Sequence, residues 1–331
     1  MDHAPITADA PFASEALLSR LRALTQEIAG VRQARDPECL HRMRVAARRL
    51  HHTLGLFEVF LPPKKLVTWQ KQMRRLLRAL GPARDTDVQL AFLEQILVRL
   101  HKSTVDEAVQ RQPGIERVRL RLQQRRAKLQ DKVNAALDKW EASEVTLAME
   151  HKLAQLAMDA EKASEAAGSC LREQAGAESL RCLHELLAYE SSVFQPEQVE
   201  ALHAMRIAAK HLRYALEVYA PLLGDDVKLP LKFVRKLQDI LGDLHDCDVW
   251  TIWLPTFMAK ERVRTQRYFG HTRSFARLML GLTYVRDERA RHRTRRYQEF
   301  LELWQEIQAR NVWSGLAETL QRSVGLQERE N

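Results

Sequence analysis

The chain is poor in the residues that turn a backbone. Its 331 residues include 12 glycines and 11 prolines, about 7% together where roughly 12% is usual. So few turn formers leave little room for the tight connections of an all-β fold. Cysteine is equally scarce: Cys39, Cys170, Cys182 and Cys247 form no Cys-x-x-Cys pair and have no histidine at finger spacing. That excludes a zinc ribbon, offers no disulfide framework and leads us to expect a reducing, cytoplasmic setting. No run approaches the roughly 18–20 consecutive apolar residues of a membrane span. The opening MDHAPITADAPF lacks both the basic and the apolar region of a secretory signal.

Helical periodicity is present almost throughout, and 45% apolar content is ample for a core. Cap and breaker signals predict helices from Ser14 to about Val31, from Asp36-Pro37 to Phe60, and from Pro63 to Leu80, stopping at Gly81-Pro82. Asp85 is expected to cap a further helix to Leu100, and a long one is expected from Gly114 to Trp140. Two helices split near Gly168 to Gly176 should follow, then one from Pro196 to Tyr219. The remaining helices are placed at Leu229 to Leu241, beyond Asp246 as a cap, from His271 to Arg310 and after Ser314. The expected class is all-α.

Charge is unevenly spread. The formal net charge of +9 averages an acidic stretch, residues 141–202 with 12 acids and four bases, against strongly basic ones. Residues 38–85 hold 11 Lys/Arg and three acids; residues 111–132 hold eight and two; residues 260–296 hold twelve and three. A basic surface attracts polyanions such as nucleic acid, anionic lipid or polyphosphate.

The pattern repeats. His41-Arg-Met-Arg-Val-Ala-Ala-Arg-Arg-Leu50 aligns with His203-Ala-Met-Arg-Ile-Ala-Ala-Lys-His-Leu212 at an offset of 162. Leu80-Gly-Pro-Ala-Arg-Asp-Thr-Asp-Val88 aligns with Leu241-Gly-Asp-Leu-His-Asp-Cys-Asp-Val249 at 161. Two ordered blocks at nearly one offset predict a duplicated unit of about 160 residues. At 100° per residue, Met43, Ala46, Ala47, Leu50, Leu54 and Phe57 form an apolar stripe, as do Met205, Ala208, Ala209, Leu212, Leu216 and Tyr219. His41, Arg44, Arg48, His51 and His52 lie opposite the first stripe; His203, Arg206, Lys210, Arg213 and Tyr214 lie opposite the second. The next helix of each copy adds Lys71, Arg74, Arg75 and Arg78, or Lys232, Arg235 and Lys236, with Asp239 in place of Arg78.

A solvated basic face is the bland account of such a helix. Ordinary exposed faces, however, interleave Glu with Lys, because like charges repel. A recurrent, segregated cationic face is better explained by a bound anion. His41 and His203 could donate to that anion or help cap their helices. They lack the partners of a metal site and the nucleophile of a catalytic one. The paired aspartates Asp85/Asp87 and Asp246/Asp248 are read as helix caps and arginine partners rather than metal ligands.

These four blocks resemble the CHAD domain (conserved histidine α-helical domain), over about residues 14–322. The resemblance implies two four-helix bundles related by a pseudo-two-fold, with basic helices lining a central channel. It implies binding of inorganic polyphosphate, association with polyphosphate-containing granules, no catalysis and no cofactor. Flanking tails at 1–13 and 323–331 are expected, with halves at 14–140 and 196–322 joined by an acidic region at 141–195. Carried over by position, the phosphate-facing residues are His41, Arg44, Arg48, Arg49, Lys71, Arg74, Arg75 and Arg78, with His203, Arg206, Lys210, Arg213, Lys232, Arg235 and Lys236 in the second copy. His52, and from the long helices Arg121, Arg125, Arg126, Arg289, Arg293 and Arg296, join the expected surface. His51, His211 and His245 depart from the basic residues usual in the family. The CYTH β-tunnel often fused to such domains has no counterpart in this sequence.

Polyphosphate carries about one charge per phosphate and no bases, so spaced cations suffice: arginine for forked bonds, lysine as a point charge. The rival partners are nucleic acid, which asks for aromatic platforms that the basic faces nearly lack apart from Tyr214, and granule proteins. A phosphate-processing enzyme would need an acidic metal cluster that is not evident. Tighter binding at pH 6 than at pH 8 is expected if His41, His51, His52, His203 and His211 gain charge.

Overall fold

The computed structural model describes residues 9–102, 105–161 and 168–325, and every regular element among them is helical. Twelve α-helices follow in order: α1 Ala10–Thr25, α2 Ile28–Gln33, α3 Pro37–Leu56, α4 Pro63–Leu100, α5 Val105–Ala142 and α6 Val145–Glu161. The second half supplies α7 Gly168–Leu187, α8 Val199–Leu223, α9 Lys228–Phe269, α10 Arg273–Ala276, α11 Met279–Ala309 and α12 Val312–Ser323.

Asp36 caps α3 as expected, its carboxylate accepting from the Glu38 backbone N–H at 2.9 Å, with Pro37 in the first turn where its missing donor costs nothing. The helix ends at Leu56 rather than Phe60, and a 3-10 turn, Glu58–Phe60, completes the segment. Both predicted apolar stripes are buried.

Three expectations need correction. Gly81-Pro82 and Gly242 do not end helices: α4 and α9 run through them, so Asp85 and Asp246 are interior residues, not caps. Leu80 and Ala83 on one helix, and Leu241 and Leu244 on the other, are buried around these positions, so packing on both sides outweighs the local breakers. The start of α1 lies at Ala10, with Ala10 and Ala13 fully buried and Ser14 inside the helix; residues 1–8 and 326–331 of the expected tails lie outside the described residues. Gly176 belongs to α7 rather than to a break. A Cβ there would fall 2.9 Å from Val324 Cγ2 and 3.0 Å from the Leu320 carbonyl, so glycine lets α12 lie close.

Smaller differences follow the same logic. Pro221 sits within α8, near its end, and Gly270, at φ +73°, closes α9 so that the segment expected as one helix from His271 becomes α10 and α11.

α1 packs on α3 and α6, α3 on α4, and α4 on α5; α7 packs on α8 and α12, α8 on α9, and α9 on α11. The two sets meet where α3 lies beside α8 and where α5 crosses α11. At that crossing Gly114 and Gly281 allow backbone contact. A Cβ on Gly114 would come 2.2 Å from the Leu278 carbonyl, and one on Gly281 2.0 Å from that of Arg111. The acidic stretch contributes α6 and α7, whose Met149, Leu153, Leu171 and Leu183 join the larger core. A smaller core holds Leu93, Ile115, Leu254 and Leu282, where the long helices extend past that larger one.

Candidate anion-binding site

α3 and α8 run side by side in register, Phe57 meeting Tyr219 edge to face with ring centroids 5.8 Å apart. The same register brings together the cations one and more turns earlier. Arg44 and Arg48 of α3 and Arg206 of α8 line a cavity of about 160 Å³, closed below by Asp85, Asp246 and Trp250 of α4 and α9. Arg44 Nη2 lies 3.3 Å from Asp85 Oδ1.

Positive charge exceeds its local compensation. Burial, then Arg48, pushes the Arg44 guanidinium down to about 10. Burial also lowers Arg206, against the pull of Asp246, with Arg48 adding to the fall. Lys210 falls to about 8 through burial, Arg48 and Arg206. Each of these groups would gain from an added anion, because a nearby opposite charge favours the charged form. The Arg206 Nε makes no hydrogen bond within the chain.

The histidines surround this cluster, but not as a row of charges. Burial first, and the cations second, press all of them down: His41 beside Arg84, His51 beside Arg74, and His203 beside Arg206. His52, buried against His211, and His245, buried against Arg206, fall to about 4. His52 and His211 stack at 5.8 Å between centroids, His203 and His245 lie at 4.3 Å, and His211 Nδ1 contacts Glu185 Oε1 at 3.2 Å. Buried His51 Nε2, His52 Nε2 and His203 Nδ1 make no hydrogen bond within the chain.

Other expected site residues are placed differently. Arg49, Arg213 and Arg235 converge on one carboxylate, Glu217, at 3.0, 2.9 and 3.0 Å. Lys71, Arg74, Arg75, Arg78, Lys232 and Lys236 are exposed along α4 and α9. Arg126 and Arg293 of the long helices each hold the second aspartate of the repeated motif, Asp87 and Asp248, at 2.6 Å. Arg121 joins Arg117 and Arg264 on the fully buried Glu261. Arg289 is buried with its guanidinium 4.2 Å from the Phe92 ring centroid, Arg296 pairs with Asp243 at 2.9 Å, and Arg125 is exposed. The long helices therefore use these arginines largely to hold the helices to one another.

The role of Glu217 escaped the sequence reading, because it occupies the repeat position of Gly55 and looks like an ordinary surface acid on its helix. Among the described residues no group of three or more His, Cys, Asp or Glu side chains is placed to hold a metal ion, and no helix is long and apolar enough to cross a membrane.

Fold and site together define an all-α protein with a partly buried, under-neutralised cationic cluster at the junction of two like helices. The sequence profile of the CHAD domain matches residues 15–255. The chain belongs to the CHAD domain family. Its fold is similar to the crystal structure of the CHAD domain from the plant Ricinus communis, with a TM-score of 0.63 and 21% identity over 92% of this chain and 93% of that one. It is also similar to PptA from Streptomyces chartreusis, with a TM-score of 0.60 and 16% identity over 91% and 100% of the two chains. The sequence matches none of the curated proteins.

Proposed function

We propose that this protein binds inorganic polyphosphate, without turning it over, on the surface centred on Arg44, Arg48, Arg206 and Lys210, and that this binding takes it to polyphosphate-containing granules in the cytoplasm. The observation that carries the reading is the convergence of Arg44, Arg48 and Arg206 on one cavity opposed by only Asp85 and Asp246, with Lys210 lowered by burial and by Arg48 and Arg206. Exposed Lys71, Arg74 and Arg78 on α4 extend the positive track toward solvent. A flexible polyanion can follow such a track with no base-stacking surface, and counterion release makes its binding steeply salt-dependent.

The reading includes the duplicated architecture: two four-helix bundles, about 14–140 and 196–322, related by a pseudo-two-fold and joined through the acidic 141–195. The matched pairs Arg126–Asp87 and Arg293–Asp248, both at 2.6 Å, support it, as does the parallel meeting of α3 with α8. Nucleic acid is the rival ligand for the same cations, and a granule protein the rival partner. Trp250 and Tyr214 beside the cluster are buried and offer no open ring for base stacking, which favours polyphosphate.

The test is a polyphosphate titration over a salt series with the Arg44→Glu, Arg206→Glu double variant beside the parent. Binding should vanish in the variant while helicity by circular dichroism is retained. Unchanged affinity would place the site elsewhere. Displacement of long-chain polyphosphate by single-stranded RNA at equal charge concentration would favour the rival ligand. Phosphate release from polyphosphate, with or without magnesium, would overturn the non-catalytic reading.

A further inference from the structure

The outer end of α9 carries a surface that the cationic cluster does not use. In the repeat, Leu100 at the end of α4 aligns with Glu261, yet α9 continues to Phe269. At 1.5 Å per residue the extra length is about 12 Å. Nearly every side chain on it faces solvent.

On a 100° wheel Ile252, Ala259 and Val263 fall in a stripe about 40° wide. Ile252 is 74% exposed and Val263 67%. Beyond the stripe, at the corner between α9 and α10, Tyr268 is 83% exposed and Phe269 52%, their ring centroids 4.7 Å apart. His271 stacks on Phe269. Lys260, Arg264 and Arg267 flank the stripe on one side, Arg262 on the other, and exposed Arg273 follows the corner. From Val249 to Arg286 the only acid is Glu261, which is fully buried and held by Arg117, Arg121 and Arg264. Within this segment, solvent-facing apolar groups and cations stand with no exposed carboxylate among them.

Two of its features select the occupant. The cations ask for phosphate-type negative charge. Neighbouring aliphatic side chains, Ile252 and Val263, gain nothing from a nucleic acid or a polyphosphate, whereas the boundary between headgroups and acyl chains accepts them. Tyr and Phe at the corner suit the same boundary, and arginine and lysine can reach back to headgroup phosphates. We propose that the α9 stripe and the α9–α10 corner dock this protein peripherally on an anionic phospholipid surface.

The test is co-sedimentation of the full chain with vesicles of phosphatidylcholine alone and with roughly 30% phosphatidylglycerol. Binding to the anionic vesicles, and little to the neutral ones, is expected. The combined variant Ile252→Ser, Val263→Ser, Tyr268→Ser and Phe269→Ser keeps every cation and alters only exposed side chains. It should lose roughly tenfold or more in vesicle affinity with an unchanged melting curve. Arg262→Gln with Arg267→Gln should lose the preference for anionic vesicles. Arg44→Gln with Arg206→Gln, which acts on the cluster between α3 and α8, should bind vesicles as the parent does.

Full vesicle binding by the four-serine variant would overturn the proposal, since charge alone would then suffice. Loss of vesicle binding in the Arg44/Arg206 variant would assign the lipid to the other site and also overturn it. So would failure of the parent to bind vesicles while the corner residues prove necessary for single-stranded RNA binding or for self-association.

Discussion

Arg49 and Glu217 stand 3.0 Å apart across the junction of α3 and α8, a guanidinium of one repeated helix held by a carboxylate of the other. Arg213 and Arg235 complete the arrangement at 2.9 and 3.0 Å. Burial alone would raise the Glu217 carboxyl, but the bond from Arg213 and the charge of Arg49 hold it below its ordinary value. The corresponding position in the first copy is Gly55, which supplies no carboxylate. One side of the α3/α8 pair therefore carries one built-in negative charge against its three arginines.

Replacing that carboxylate should separate folding from binding. In Glu217→Gln the three arginines keep one another's company without a counter-charge. Stability should fall by roughly 2 kcal/mol, less than a fully buried pair would lose because Arg49 and Arg235 remain partly exposed. Polyphosphate affinity should rise several-fold, approaching tenfold per 1.4 kcal/mol of recovered attraction. Urea unfolding and calorimetric titration read the two effects. A drop in stability with no gain in binding would leave Glu217 a purely structural residue.

The pH profile differs from the one expected of five exposed histidines. Burial holds His52 and His245 at about 4 and lowers His41, His51, His203 and His211, so the unliganded cluster gains little histidine charge near neutrality. Lys210, at about 8 and faced by Arg44, Arg48, Arg206 and Glu185, titrates instead. Binding should tighten as pH falls from about 9 to about 7, as Lys210 takes up its proton, and change little from there to about 6. Stability has the opposite sense. His52 and His245 bind protons more weakly folded than unfolded, so stability falls as pH drops from about 6.5 toward about 4. Titrations across this range, with urea melts alongside, read both. Continuous tightening from about pH 7 to 6 would show histidines charging in the complex.

The paired motif aspartates carry a different expectation. Asp87 and Asp248 are largely buried against Arg126 and Arg293. Asp87→Asn or Asp248→Asn leaves a buried guanidinium without its carboxylate and should cost roughly 3 kcal/mol each. Urea unfolding measures this, and the folded variants should bind polyphosphate with the parent's affinity. Lost binding at unchanged stability would instead make Arg126 and Arg293 ligand contacts.

Some of this was legible before any coordinates. The apolar stripes of α3 and α8 are buried where periodicity placed them, because a 3.6-residue repeat specifies which face of a helix leaves water. Asp36-Pro37 marked a helix start correctly, since capping is a local event. Local signals failed at Gly81-Pro82 and Gly242. There, continuing the helix keeps Leu80, Ala83, Leu241 and Leu244 in the core, and that long-range gain exceeds the local cost.

By itself the sequence determined the helical class, the family and the identity of the cations, all properties of composition, spacing and repeated motif. Tertiary structure alone decided which cations have partners. Arg44 and Arg206 look like Arg126 and Arg293 in the chain, yet the first two line a cavity with charge to spare while the others are closed on Asp87 and Asp248. The difference lies in distance and burial between residues far apart in sequence, because electrostatic interaction depends on separation and surroundings rather than on residue type.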